Sequence, residues 1–255
     1  MCLILFALQA HPDYPLIVAA NRDEFFQRPT AAAEFWHDQP EILGGRDLQA
    51  GGTWLGVNRA GVFSAVTNVR NAQEAQDRPG SRGELVTHSL NTAPHQALAK
   101  MRQNQDHYNG FNLLCGTPQQ LHYFSNRNDD LPRRLEPGVY GLSNAELDTS
   151  WPKVDSAKND LRAIVSREAH SSESLQTALL EMMADDQQAP AEQLPETGIG
   201  EEWEALLSSR FILSESYGTR ATTIVLYHRS GRIDFLEQGF DHQQALERRN
   251  FTLQL

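Results

Sequence analysis

Residues 1–25 read MCLILFALQAHPDYPLIVAANRDEF, and what lies between their two apolar runs decides the architecture. Leu3–Leu8 and Leu16–Ala20 are short and rich in β-formers, with His11-Pro12-Asp13-Tyr14-Pro15 between them. Two prolines and an aspartate within five residues make a turn, so the stretch reads as a β-hairpin. Apolar residues at consecutive positions imply strands covered on both faces, as in the middle of a layered fold. With the loop at His11–Pro15, Cys2 faces Glu24; with the loop one residue back, it faces Arg22. Either way a thiol heading the first strand meets Asn21-Arg22-Asp23-Glu24 at the end of the second.

The same alternation of apolar runs and turns recurs along the chain. Thr53–Val57 and Val62–Val66 pair around Asn58-Arg59-Ala60-Gly61. Phe111–Cys115 and Leu121–Ser125 turn at Gly116-Thr117-Pro118, and Ala221–His228 and Ile233–Gln238 turn at Ser230-Gly231. Between these hairpins lie helical patterns. Arg82–Asn91 and Pro94–Gln103 start near Ser81 and Thr92 or Ala93. Ser150–Glu168 carries Val154, Leu161, Ile164 and Val165 at helical spacing, and Ser172–Ala184 carries Leu175, Leu179, Met182 and Met183 along one face, capped by Ser171 or Ser172. Asp185–Gly200, rich in Pro, Gln and Glu, reads as an exposed loop. The order is strands, two helices, strands, two helices, strands. That is not βαβ alternation, and it predicts an α+β fold of antiparallel sheets covered by helices in one domain, residues 1–255.

Charge and composition narrow the function. A formal charge of −11 over 255 residues argues against nucleic acid or an anionic membrane as the main partner. No apolar run approaches the ~18–20 residues of a membrane helix, and Leu3–Leu8 has neither the basic start nor the length of a signal peptide. Two cysteines, Cys2 and Cys115, make neither a disulfide framework nor a zinc cluster, and nine scattered histidines lack metal-ligand spacing. A cytoplasmic enzyme or binding protein is expected, with no metal. Cys115, in apolar company, reads as a core thiol. Trp36, Trp54, Trp151 and Trp203 read as core or rim residues, Arg46-Asp47 as an exposed turn, and Gly51-Gly52 as a point of close approach by a substrate or a neighbouring strand.

Cys2 carries the sharpest chemical expectation. A free thiol has a pKa near 8.5 and an α-amino group one near 7.7–8.0. When both belong to one residue, the amine can serve as base for its own thiol in a nearly balanced transfer. That requires removal of Met1, since an amide is no base. A nearby Arg favours thiolate, and a carboxylate orients the ammonium. Asn68 and Asn144 both emerge from apolar stretches and are candidate donors to an oxyanion.

The segments MCLILF, LIVAANRDEFFQRPT, GGRDLQAGGTWLGVNRAGVFSAVTN, SRGELV, GFNLL, YGLSNAELDTSWPKV and YGTRATTIVL together resemble the NRDE family, also called the transport-and-Golgi-organisation protein 2 family. The resemblance runs from Met1 to about Phe240. Through that family the chain resembles N-terminal nucleophile hydrolases of the penicillin V acylase and bile-salt hydrolase type, which implies a four-layer αββα sandwich. Carried over residue by residue, the resemblance makes Cys2 the nucleophile and Arg22 its positive neighbour. Asp23 holds the α-amino group, with Glu24 as substitute because the hydrolases leave two residues between Arg and Asp where this chain leaves none. Asn68 and Asn144 supply the oxyanion site, and Arg220 is the late arginine, with Arg210 as second choice. Asn21, Glu24 and Trp54 are the substrate-binding candidates. Two functions follow as expectations: hydrolysis of a small-molecule linear amide through an acyl-Cys2 intermediate, without cofactor, or non-catalytic carriage of a hydrophobic ligand, haem or a lipid or acyl-CoA, in the same pocket.

Overall fold

The hairpin that opens the chain forms the centre of a sheet. Strands β1 (Cys2–Leu8) and β2 (Leu16–Phe25) pair antiparallel with Leu8 opposite Leu16, which carries Cys2 to a position opposite Arg22. The turn closes through Gln9 N–H donating to Pro15 O and Asp13 N–H to His11 Nδ1. Of the two registers the sequence allows, the loop one residue back is therefore the one adopted. The computed structural model describes residues 2–72, 78–128, 132–167, 171–242 and 244–255. Met1, whose removal the chemistry above requires, and Glu168, the expected end of a helix, lie outside them.

Contacts divide the chain into two compact units, each assembled from separate stretches. The first takes residues up to Gln27, Pro137–Ser143 and Leu147–Gln254. Its antiparallel sheet adds β10 (Gly138–Leu142) beside β1, and β11 (Tyr217–Tyr227), β12 (Arg232–Asp241) and β13 (Gln244–Gln254) beyond β2. Two helices, α3 (Pro152–Val165) and α4 (Ser172–Met183), bury their apolar stripes on it. Leu3, Leu5, Ala7, Ile17 and Ala19 from the sheet enclose Val154, Leu161, Leu175, Leu179 and Met183 in one core. Each such leucine, fully buried, contributes about 2 kcal/mol. Pro152 sits in the first turn of α3, where its missing N–H is harmless. Ser171 Oγ accepts Ser174 N–H at 3.1 Å and caps α4, as its position in the sequence suggests.

The second unit takes Arg28–Glu136, Asn144–Glu146 and Leu255. Its seven strands run in chain order, all antiparallel: β3 (Thr30–Phe35), β4 (Ile42–Asp47), β5 (Leu55–Asn58), β6 (Phe63–Asn68), β7 (Phe111–Thr117), β8 (Gln120–Ser125) and β9 (Arg133–Arg134). Helix α1 (Arg82–Asn91) lies on β5 and β6, with α2 (Pro94–Gln103) beside it. Gly52 meets the start of α1 so closely that a Cβ there would sit 2.5 Å from the Gly83 carbonyl carbon. The close approach expected at Gly51-Gly52 is thus made by a helix. The remaining short helix, α5 (Glu201–Leu206), belongs to the first unit. Two antiparallel sheets, each with its own helices, are the layers that an α+β sandwich of the αββα kind requires.

Local departures from the sequence reading have local causes. Strand β5 begins at Leu55 rather than Thr53, because Thr53 turns its hydroxyl onto Leu55 O and its N–H toward Gly83 O. Strand β7 continues through Gly116 and Thr117, and Gly116 takes a φ of +142° with Gln120 O close against it. The 185–200 segment has one short 3₁₀ turn, Ala191–Gln193, and is held by Thr197 N–H and Oγ1 on Glu204 Oε1 at 2.7 and 2.6 Å. Among the described residues no helix is long and apolar enough to cross a membrane.

Candidate active site

Strand pairing builds the site in rows. Cys2 is opposite Arg22, and Arg22 is opposite Ala221 on the other side; the next row sets Asp23 opposite Thr219. Side chains alternate between faces along a strand. Leu3, Leu5, Ile17 and Ala19 point into the helix-covered core, so Asn21, Asp23 and their partners share that face. Cys2 and Arg22 therefore share the opposite one. Cys2 and Arg22 are thus opposite each other on one face, and Asp23 lies on the other.

Burial sets the electrostatics. Arg22 and Asp23 are buried and Cys2 is half-buried. Burial pushes the Cys2 thiol above its ordinary value, the charges of Asp23 and Glu24 add to that, and Arg22 pulls the other way. Burial also raises the Asp23 carboxyl, against the Lys153 ammonium, a hydrogen bond from Thr219 and the Arg22 charge. Thr219 Oγ1 donates to Asp23 Oδ1 at 2.7 Å. Lys153, in the first turn of α3, is buried and donates from Nζ to Leu207 O at 2.6 Å. Ser143 Oγ reaches Cys2 O at 3.4 Å.

The other expected residues divide. Asn21 Nδ2 donates to Met183 O and Arg210 O at 2.9 and 2.8 Å, and its Oδ1 accepts Thr222 Oγ1 at 2.7 Å. Buried and bonded to three partners, it ties β2 to the end of α4. Glu24 is half-buried and accepts Phe25 N–H at 2.9 Å. Arg220 is the extra residue of a bulge between Thr219 and Ala221, and its Nη1 donates to the Phe25 and Phe26 carbonyls at 3.0 and 3.2 Å. Burial and the Arg22 charge lower its pKa, with Asp241 and Glu24 opposing. Arg210 is a clamp, with Nη2 on Asp160 at 2.7 Å and Nη1 on Met182 O at 3.1 Å.

Asn68, Asn144 and Trp54 belong to the second unit. Asn144 Nδ2 donates to Asn68 O and Asn68 Oδ1 at 3.0 and 2.8 Å, so the two asparagines are held together. Trp54 is buried with its ring where a Cβ on Gly45 would be, a packing position. Arg46 and Asp47, expected in an exposed turn, are the half-buried last residues of strand β4, paired with Ala31 and Thr30 of β3; Arg46 grips Asp38 through both terminal nitrogens and stacks on Trp36, while Asp47 holds Arg28 at 2.7 Å. Three residues that the sequence reading passed over stand close to Cys2 and Asp23. Thr219 and Tyr217 lie in YGTRATT, and the pairing of that strand with NRDE is the signal that finds them. Lys153, arriving from a helix start, has no such signal. Among the described residues no group of three or more His, Cys, Asp or Glu could hold a metal ion.

The model of one family, described as Transport and Golgi organisation 2, matches residues 1–242. The chain belongs to that family. It is similar to the Transport and Golgi organization 2 homolog of Mus musculus, 36% identical, with 93% of this chain and 92% of that protein covered. The Homo sapiens Transport and Golgi organization protein 2 homolog is 37% identical over the same shares. Among solved structures, a conjugated bile acid hydrolase from Clostridium perfringens aligns over 98% of this chain and 96% of its own at a TM-score of 0.43 and 11% identity, a likeness too loose to carry a functional argument.

Proposed function

We propose that this protein is an amidohydrolase that cleaves a linear amide through an acyl-Cys2 intermediate once Met1 is removed. The observation that supports it best is the register: the chain's first thiol opposite a buried Arg22, with a buried Asp23 in the next row. Titratable groups shifted by burial and gathered at one strand end support a chemical use.

In this mechanism the α-amine of Cys2 takes the thiol proton as Sγ attacks the acyl carbon, and the carbonyl electron pair moves onto oxygen. Collapse of that adduct breaks the C–N bond, and the leaving amine takes the proton from the α-ammonium. Water then attacks the thioester, giving one proton to the α-amine. The second adduct expels the sulfur as the carboxylic acid forms, and the ammonium returns its proton to the thiolate. A thiol held neutral by burial suits this sequence, because deprotonation accompanies attack. Arg22 stabilises the developing thiolate and Asp23 orients the ammonium. Asn68 and Asn144 keep the oxyanion role on the strength of the family resemblance alone.

The test is trapping. An N-acyl p-nitroanilide incubated with native protein should leave an acyl mass on the Cys2 peptide and release nitroaniline, and Cys2→Ala should do neither. Release that continues unchanged in Cys2→Ala would overturn the proposal. A second reading, carriage of a hydrophobic ligand such as haem or a lipid, is supported by the exposure of Phe25 (49%) and Trp203 (38%), whose rings meet around Tyr217. Haem titration by absorbance, with binding that requires Cys2 and no turnover, favours that reading.

A further inference from the structure

We propose that Thr219 is a positioning residue for the α-amino group of Cys2, acting through Asp23; the proposal rests on the hydrolase reading above. Thr219 and Ile212 hold each other reciprocally. Thr219 N–H donates to Ile212 O at 3.0 Å, and Ile212 N–H donates to Thr219 Oγ1 at 2.9 Å. A backbone amide can only donate, so it occupies a lone pair of the hydroxyl and turns the O–H proton outward. That proton lies on Asp23 Oδ1 at 2.7 Å. The relay from Ile212 through Thr219 to Asp23 is wholly buried, where hydrogen bonds to charged groups are strong and misalignment is costly.

The ladder also separates Asp23 from Glu24. Asp23 is opposite Thr219, whereas Glu24 is opposite Gly218, which has no side chain to offer. A side chain there would meet Ile212 O at 2.8 Å and the Phe26 ring at 2.9 Å, so glycine is required at that position. One carboxylate is fixed by a neighbour built for it; the other is half-buried on the backbone of Phe25. Thr219 thereby makes Asp23, rather than Glu24, the partner of the amine. The charged and titratable groups acting on Asp23 from the surrounding elements are Arg22 on its own strand, Lys153 from α3, and Cys2 and Tyr217, which share its electrostatic environment.

The test reads Cys2 alkylation by iodoacetamide against pH, from the mass of the N-terminal peptide of the folded full chain. An ammonium held beside the thiol lowers the thiol pKa. Thr219→Val keeps the shape and removes the hydroxyl, and it should move the profile about one pH unit upward, making alkylation about tenfold slower at pH 7. Thr219→Ala, a second hydroxyl-free variant without added bulk, should do the same, and Thr219→Ser should restore the wild-type profile. A purely structural role would lower the melting temperature and leave the profile in place. A chain that starts at Cys2 with an unmoved profile in either hydroxyl-free variant overturns the role of Thr219 alone. A chain that retains Met1 overturns the hydrolase reading, and this proposal with it.

Discussion

Cys2 lies directly across the β1–β2 ladder from Arg22, on the face away from the α3–α4 core. Because Arg22 is buried, its charge acts on the sulfur with little screening by solvent. It opposes the burial, Asp23 and Glu24 that raise the thiol pKa. Replacing Arg22 with Gln should therefore slow iodoacetamide labelling of Cys2 at pH 7 by about tenfold. Labelling at an unchanged rate would show that the guanidinium does not act on the thiol.

Asp23 is predicted to oppose folding at neutral pH. Its carboxyl pKa is raised in the folded protein above the ordinary 3.8, mainly by burial. A raised carboxyl binds its proton more tightly folded than unfolded, so stability is greatest below about pH 3.8 on this account and declines as pH rises through the folded pKa. Asp23→Asn should raise the melting temperature at pH 7. Calorimetry that finds Asp23→Asn less stable at pH 7 would contradict this.

Asn21→Ala should act on stability. The substitution leaves Met183 O, Arg210 O and Thr222 Oγ1 without their buried partner. Unmet buried groups of this kind lower stability by about 1–3 kcal/mol each, so urea unfolding should report a loss of about 3 kcal/mol. A loss below about 0.5 kcal/mol would contradict this bracing role.

Cys115 should be inert in the native state. Burial pushes its thiol up to about 11, against a hydrogen bond with Ser89. At pH 7.5 its thiolate fraction is below about one in a thousand. A thiol probe should label Cys2 and leave Cys115 unlabelled until the protein is unfolded. Equal labelling of the two in native protein would refute this.

Much of this arrangement is readable from residues alone, where burial and turns agree. The HPDYP turn between two apolar runs specifies the β1–β2 hairpin and narrows Cys2 to two opposing residues. Helices α1 and α2 begin and end where the sequence predicts: Pro94 opens α2, and both helices bury an apolar stripe. The edge and connecting strands escape for physical reasons. Strand β13 (QALERRNFTLQ) is almost wholly exposed, so it has no apolar alternation to read. Strands β3 (TAAAEF) and β4 (ILGGRD) are built of alanine and glycine, which are weak strand formers, and β10 (GVYGL) holds its place through pairing with β1. At the site, nothing in the sequence reveals which backbone carbonyls tertiary structure brings to the amides of Asn21 and Asn144. Thr219 is invisible until β11 is paired with β2.

If Cys2 is an N-terminal nucleophile, the N-terminal mass of the native, untagged protein shows it. A chain beginning at Cys2 with a free α-amine is the expected result. A chain that retains Met1 would contradict it, since the amine that serves as base would then be an amide.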